Sequence, residues 1–281
     1  MVKIKYMYLI IPRLCAIIKQ KGEKIMELLY KLLFLCPALF IAGLIDGISG
    51  GGGMIALPSY IMAGLPISSA YACNKMQSCL GTSASLAKYA KSGLLDIKSA
   101  LPAALAAIVG SFISTQIMLS LDDGVKKIII AAAMCFVLAI TIISSRMKID
   151  SFTETRVKPT VKSILICLLV GLLLGLYDGF FGPGGGTIAI LLFAIIMKYD
   201  LRVGGGNGKL IIVISNLTSM ITYILHGDVI YAIAIPCSIA NIVGSYIGAT
   251  LATKKGAKFV KYISWAVIAA LIVYAVSDIL K

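Results

Sequence analysis

Gly43-Leu-Ile-Asp46-Gly47-Ile-Ser-Gly50-Gly-Gly-Gly53 and Gly175-Leu-Tyr-Asp178-Gly179-Phe-Phe-Gly182-Pro183-Gly184-Gly-Gly186 are two versions of one phrase, nearly half the chain apart. Each sets a carboxylate and a run of unsubstituted backbone inside a strongly apolar stretch. Regular helix is expected to break at these two points, and an acid buried beside such a break is the first place to look for function.

The composition around the phrase fixes the solvent. Hydrophobic residues make up 59% of the 281 positions and charged residues 14%, at a mean hydropathy of +0.99. Such a chain is too apolar for a soluble domain. Apolar runs long enough to cross hydrocarbon recur from about Leu28 to the C-terminus, which predicts an all-α polytopic membrane protein with the lipid bilayer as its first partner.

The net charge of +14 does not point to nucleic acid, because the basic residues gather in loops and termini rather than on an aromatic-studded face. Lys3, Lys5, Arg13, Lys19, Lys21, Lys24 and Lys31 precede or open the first span, and Arg146, Lys148, Arg156, Lys158 and Lys162 fill a central linker. The positive-inside rule predicts that both segments, and so the N-terminus, are cytoplasmic. Residues 1–26 form a basic extension without the h-region and cleavage site of a signal peptide, and Met26 is a second candidate start. Cys15, Cys36, Cys73, Cys79, Cys135, Cys167 and Cys237 lie mostly within apolar runs and lack CxxC spacing or a neighbouring histidine, so they read as small embedded side chains.

Expected spans are Glu27 to Gly47, Ala70 to Ala90, Ser99 to Leu119 and Lys126 to Ile143, then Val161 to Phe180, Gly208 to Leu225, Ile230 to Ala252 and Phe259 to Ile279. After each glycine phrase comes a shorter apolar piece, Met54 to Met62 and Thr187 to Met197, which reaches only about half the bilayer. With Pro183 and Gly208 taken as insertions, Asn74 aligns with Asn207, Lys75 with Lys209, Tyr89 with Tyr223, Gly93 with Gly227 and Pro102 with Pro236. Gly110-Ser111 falls on Gly244-Ser245. This register predicts two tandem repeats of about four transmembrane helices, residues 27–145 and 163–281, joined by a cytoplasmic linker at 146–162, each with a re-entrant half-helix. Cytoplasmic placement of both basic segments requires an even number of crossings in the first half, which favours parallel repeats. Inverted repeats would put one of those segments outside.

Irregular backbone at membrane depth must be covered by protein or line a hydrated cavity. Glycines opening a short helix aim free N–H groups and the positive end of its dipole at that cavity, an arrangement suited to an anion. Gly50, Gly51, Gly52 and Gly53, with Gly184, Gly185 and Gly186, are therefore candidate solute-binding backbone; close helix packing is the alternative. Asn74, Ser78, Thr82, Ser85 and Tyr89 form one helical stripe, continued in the second half by Asn216, Ser219, Tyr223 and His226. Asn74, Thr82, Asn207 and Asn216 are candidate hydrogen-bonding residues of the site, against the reading that the stripe only ties helices together. Lys75 and Lys209 would neutralise an anion, pair with Asp46 and Asp178, or snorkel to headgroups. Asp46 and Asp178 are candidates for carrying a coupling proton or cation, or simply bond the glycine-loop amides. His226 has no acidic or cysteine partner at metal-ligand spacing and reads as an interfacial residue; Gly244, Gly248 and Ala252 read as helix-packing residues.

The phrase Gly43 to Gly53, followed by Pro58, Gly64-Leu-Pro66, Asn74-Lys75-Met-Gln77, Tyr89 and Gly93, resembles the first half of the sulfite exporter TauE/SafE family. Gly175 to Gly186, with Lys209, Asn216 and Gly227, resembles the second half of the branch carrying Asp in both glycine motifs. The resemblance runs from about Phe40 to the C-terminus. It implies a multi-pass transporter of the prokaryotic cytoplasmic membrane, moving small anions that are often sulfur-containing. With no Walker motif or other cofactor-binding loop in the sequence, the energy source is expected to be an ion gradient or the solute's own. The alternatives are a passive anion channel or, further off, an intramembrane enzyme, for which no His-Asp or Cys-His constellation is visible.

Overall fold

A computed structural model describes residues 2–146 and 160–255; the expected span from Phe259 to Ile279 and the linker around Ser151 lie outside the described residues. All the described elements are helices: α1 (Val2–Ser49), α2 (Gly53–Met62), α3 (Ile67–Lys91), α4 (Ile97–Ser120), α5 (Asp123–Arg146), α6 (Val161–Phe180), α7 (Gly185–Met197), α8 (Leu201–His226) and α9 (Tyr231–Lys255). Within α1 the stretch long and apolar enough to cross a membrane is Gly22–Ser49, and the basic extension continues the same helix N-terminally. The short pieces are α2, with 10 residues, and α7, with 13, each opening at a glycine break.

Among the described residues five helices are long and apolar enough to cross a membrane: Gly22–Ser49, Ile97–Ser120, Val161–Phe180, Leu201–His226 and Tyr231–Lys254. With 25 residues α3 is as long, but its polar stripe keeps it below that apolarity. Position explains how such a helix survives in lipid. α3 packs against α8 and α9, and α8 against α3, α4 and α7, whereas α1 lies along α9 and α4 along α6. The outer pairs turn residues such as Leu33, Leu105, Leu169 and Ile239 outward, and the polar side chains of α3 are buried behind them.

Direction follows from which residues meet. Gly43 and Gly47 of α1 lie against Asn241 and Ser245 of α9, and Gly81 and Ser85 of α3 meet the same stretch, so α1, α3 and α9 run in one sense. Gly171 and Gly175 of α6 lie against Ala103 and Ala107 of α4, and Ser111 and Thr115 of α4 meet Ser215 and Ser219 of α8 in that order, so α4, α6 and α8 also share a sense. The two sets are opposed: Gly205, near the start of α8, faces Tyr89 near the end of α3, while Lys75 of α3 and Ser215 of α8 meet on Asp178. The first, second and third spans of the two halves are therefore antiparallel to each other.

This overturns the parallel arrangement and the placement of both basic segments on one side. Since α1 and α3 run the same way, α2 carries the chain back, and α1 with α2 makes no net crossing. α5 starts beside the beginning of α3, where Lys126 Nζ donates to Ser68 Oγ at 2.8 Å, and leaves toward the face where α6 begins. Three crossings, by α3, α4 and α5, an odd number, separate the start of α1 from the end of α5. Counting loop charges erred because two strongly basic segments were both assigned to the cytoplasm, when only one can be there.

The helix expected from Gly208 begins at Leu201 instead. Gly204-Gly205-Gly206 reads as a breaker but is helical, because the neighbouring chain leaves no room for side chains. A Cβ on Gly206 would stand 1.8 Å from the carbonyl oxygen of Leu94, and one on Gly205 would lie 3.1 Å from the Tyr89 ring.

Candidate functional site

The first glycines of each phrase pack helices and the later ones build the site. A Cβ on Gly43 would come within 2.4 Å of Asn241 O, and one on Gly175 within 2.4 Å of Ala107 O. Gly244 and Gly248 complete the first of these seams, as the reading of small residues anticipated. Gly50 and Gly184 have φ of +78°, a conformation open to glycine at little cost. Here the two breaks touch: a Cβ on Gly50 would be 2.3 Å from the carbonyl carbon of Gly186, and Thr187 Oγ1 donates to Ser49 O at 2.9 Å.

Around this contact the charges cross between the halves. Lys75 Nζ, on α3, donates to Asp178 Oδ2 of α6 at 2.9 Å, and Lys209 Nζ, on α8, donates to Asp46 Oδ2 of α1 at 2.7 Å. Each ammonium also donates to the main-chain carbonyl of the same aspartate. Those carbonyls lie in the last turns of α1 and α6, where a cation opposes the negative end of the helix dipole. A hydroxyl completes each carboxylate: Thr82 Oγ1 donates to Asp46 Oδ2 at 3.1 Å and Ser215 Oγ to Asp178 Oδ2 at 2.7 Å.

The lysines are not at the headgroups, since the side chains of Lys75 and Lys209 are 0% and 2% exposed. Asp178 is 2% exposed and Asp46 16%. Removing one member of a buried pair leaves an uncompensated charge, at about 3–5 kcal/mol.

Both carboxylates look into one polar cavity of about 20 Å³, room for a single water, lined by Gly50, Gly53, Asn74, Ser78, Thr82, Gly182, Gly186, Ile212 and Asn216. Of the candidates, Asp46, Asp178, Gly50, Gly53, Gly186, Asn74, Thr82 and Asn216 line it, and Lys75 and Lys209 reach it through the aspartates. Gly51, Gly52, Gly184 and Gly185 form the turns behind it. Gln77 Nε2 donates to Asn74 Oδ1 at 3.0 Å and to Ser78 Oγ at 2.8 Å, which fixes the Asn74 amide.

Asn207 stands apart from the cavity. Its Oδ1 accepts from Asp96 N at 2.8 Å, in a separate cluster where the carboxylate of Asp96 takes the hydroxyls of Ser99 and Tyr199. The aligned Asn74 is adjacent to Lys75, but Gly208 separates Asn207 from Lys209. In an unbroken helix one extra residue turns a side chain by about 100°. Gly208, which faces Ala189, therefore occupies the place equivalent to Asn74.

Sequence reasoning passed over Ser215, which aligns with Gly81 and lies outside the shared pattern; its position before Asn216 on a polar helix face was the available signal. Lower on the stripe the hydroxyls hold helices together, as Ser85 Oγ donates to Ser245 O at 3.1 Å and Tyr89 Oη to Gly47 O at 3.3 Å. His226 is 59% exposed and bonds only Asp228, as an interfacial residue would. Among the described residues no group of three His, Cys, Asp or Glu side chains converges as metal ligands would.

The sequence profile described as Sulfite exporter TauE/SafE matches residues 35–275. A protein of Sinorhizobium sp named probable membrane transporter protein ORF9 is 29% identical over 247 residues, covering 88% of this chain and 93% of its own. A probable membrane transporter protein of Haemophilus influenzae is 27% identical over 227 residues, covering 79% of this chain and 85% of its own. The probable membrane transporter protein YfcA of Escherichia coli is 26% identical over 222 residues, covering 79% and 80%. No solved structure matches the chain. A family match across most of a chain whose helices turn apolar faces outward around buried charge shows that the protein belongs to the sulfite exporter TauE/SafE family of multi-pass membrane transporters.

Proposed function

We propose that this chain is a secondary transporter that moves a small anionic solute, with organosulfur anions as the leading class, through the cavity between the two glycine breaks, and that Asp46 and Asp178 couple the movement to protons. The observation that carries this reading is the crossed pairing of Lys75 with Asp178 and of Lys209 with Asp46 at one polar cavity. Among the described residues the cations at this cavity are these two lysines, and both are occupied by carboxylates. Neutralising an aspartate frees its lysine, so the proton and the solute depend on one another. The glycine-opened starts of α2 and α7 meet at the cavity from the two halves and add N–H groups and helix dipoles there.

In proteoliposomes, Asp46→Asn is expected to abolish the pH dependence of transport while leaving solute binding intact. An unchanged pH profile would remove Asp46 from coupling.

A further inference from the structure

The four charges of the site cancel, and from this we infer that transport is electroneutral: each negative charge on the solute is matched by one proton taken up by Asp46 or Asp178. The inference rests on the proposed proton-linked transport and goes further by fixing its stoichiometry. Two ammonium groups and two carboxylates are buried within one cluster, with the side chains of Lys75, Asp178 and Lys209 at most 2% exposed. An extra anion there would leave a net buried charge, and a proton on a carboxylate without the anion would leave a net positive one. Adding both together keeps the sum at zero.

The exchange can be followed atom by atom. A proton binds Asp46 Oδ2, the ion pair with Lys209 Nζ separates, and the released ammonium takes the solute anion in place of the carboxylate. Before the step the pair is Lys⁺ and Asp⁻; afterwards it is Lys⁺, neutral AspH and the anion. No covalent bond other than O–H forms or breaks. Asp46 acts first because its side chain is 16% exposed and Asp178 is sealed. A dianion needs the second pair as well, with a second proton on Asp178 and release of Lys75.

Among the described residues no other charged group faces the two carboxylates. Asp46 is faced by Lys209 from α8 and by Thr82 and Tyr89 from α3, and Asp178 by Lys75 from α3, Ser215 from α8 and Tyr177 on its own helix. α9 presents Asn241 and Ser245 to the end of α1, α4 presents Ser111 and Ser114 to the end of α6, α7 offers Thr187, and α2 carries no charged residue.

The test uses full-length protein in proteoliposomes and two probes that stay fully ionised through the working pH range, methanesulfonate as a monoanion and thiosulfate as a dianion. Steady-state accumulation is measured under an imposed pH gradient, with membrane potential set independently by potassium and valinomycin. One unit of pH gradient is expected to give about tenfold accumulation of methanesulfonate and about a hundredfold of thiosulfate, the same at every potential. Accumulation that follows the potential, or equal proton coupling for the two probes, overturns electroneutrality and leaves proton-linked transport standing. Protein that keeps its cooperative thermal unfolding but moves neither probe removes the transport reading, and this inference with it.

Discussion

The Lys75–Asp178 and Lys209–Asp46 pairs are made of residues that align between the halves, yet they do not share an environment. Asp178 is 2% exposed, with Ser215 as a close third donor at 2.7 Å, whereas Asp46 keeps 16% of its side-chain surface open and has Thr82 at 3.1 Å. One half-site is dry and the other is partly wet. In low dielectric an unpaired charge is far more costly than in a hydrated setting, so identical residue types should behave differently under mutation.

The comparison presupposes that the halves are antiparallel, and the test of that is all-or-none. In a cysteine-free background, Lys19→Cys and Ser151→Cys are expected to react with an impermeant thiol reagent from opposite sides of the membrane. Labelling of both from one side would refute the helix directions described above.

Next in size is the loss of a lysine. Lys75→Met strands Asp178 in the dry half-site, for an expected destabilisation of about 3–5 kcal/mol. Lys209→Met leaves Asp46 with access to water and is expected to cost about half as much. Thermal unfolding in detergent measures both, and adding Asp178→Asn to Lys75→Met should recover most of the loss. Equal costs for the two lysines would mean that the difference in exposure has no energetic weight.

Much of this arrangement was legible in the chain. The glycine phrases marked the breaks, the aspartates and lysines were singled out as buried charge, and the short pieces after the breaks proved to be the half-helices α2 and α7. Which lysine met which aspartate was not legible, because aligned residues can pair within a half or across the halves and the sequence is the same in either case. Direction was hidden for a related reason: loop charge reports sidedness only when one side is clearly richer, and here both the N-terminal extension and the linker are basic. Asn207 misled because an alignment treats an insertion as a gap, while a continuous helix turns it into a rotation. The role of Gly204 to Gly206 depends on Leu94 and Tyr89, which are distant in sequence.

The turns behind the cavity offer a smaller contrast between aligned positions. A Cβ on Gly52 would sit 2.3 Å from the main-chain oxygen of Ala42, which cannot swing away; one on Gly185 would meet Asp178 Oδ1 and the Ile212 side chain at 3.2 Å, and both of these can yield slightly. Gly52→Ala is therefore expected to cost about 3 kcal/mol of stability and Gly185→Ala about 1 kcal/mol or less. Because the Gly185 neighbour is a carboxylate oxygen of the dry pair, Gly185→Ala should still alter transport in a protein that unfolds almost normally. A transport rate unchanged in Gly185→Ala would separate the turn from the site.

The finest distinction lies in the third donors. Ser215→Ala removes the shorter hydrogen bond to the more deeply buried carboxylate, for an expected loss of about 2 kcal/mol. Thr82→Ala removes the longer bond to Asp46, where the cavity can admit a water in its place, for about 1 kcal/mol or less. If Asp46 is the first to take a proton, the two substitutions also differ in which solute reports them. Losing Thr82 should alter transport of both probes, whereas losing Ser215 should act mainly on the second proton, seen with thiosulfate and not with methanesulfonate. Effects that run together for both variants and both probes would mean that the two carboxylates act as one unit, and that the two half-sites differ only in stability.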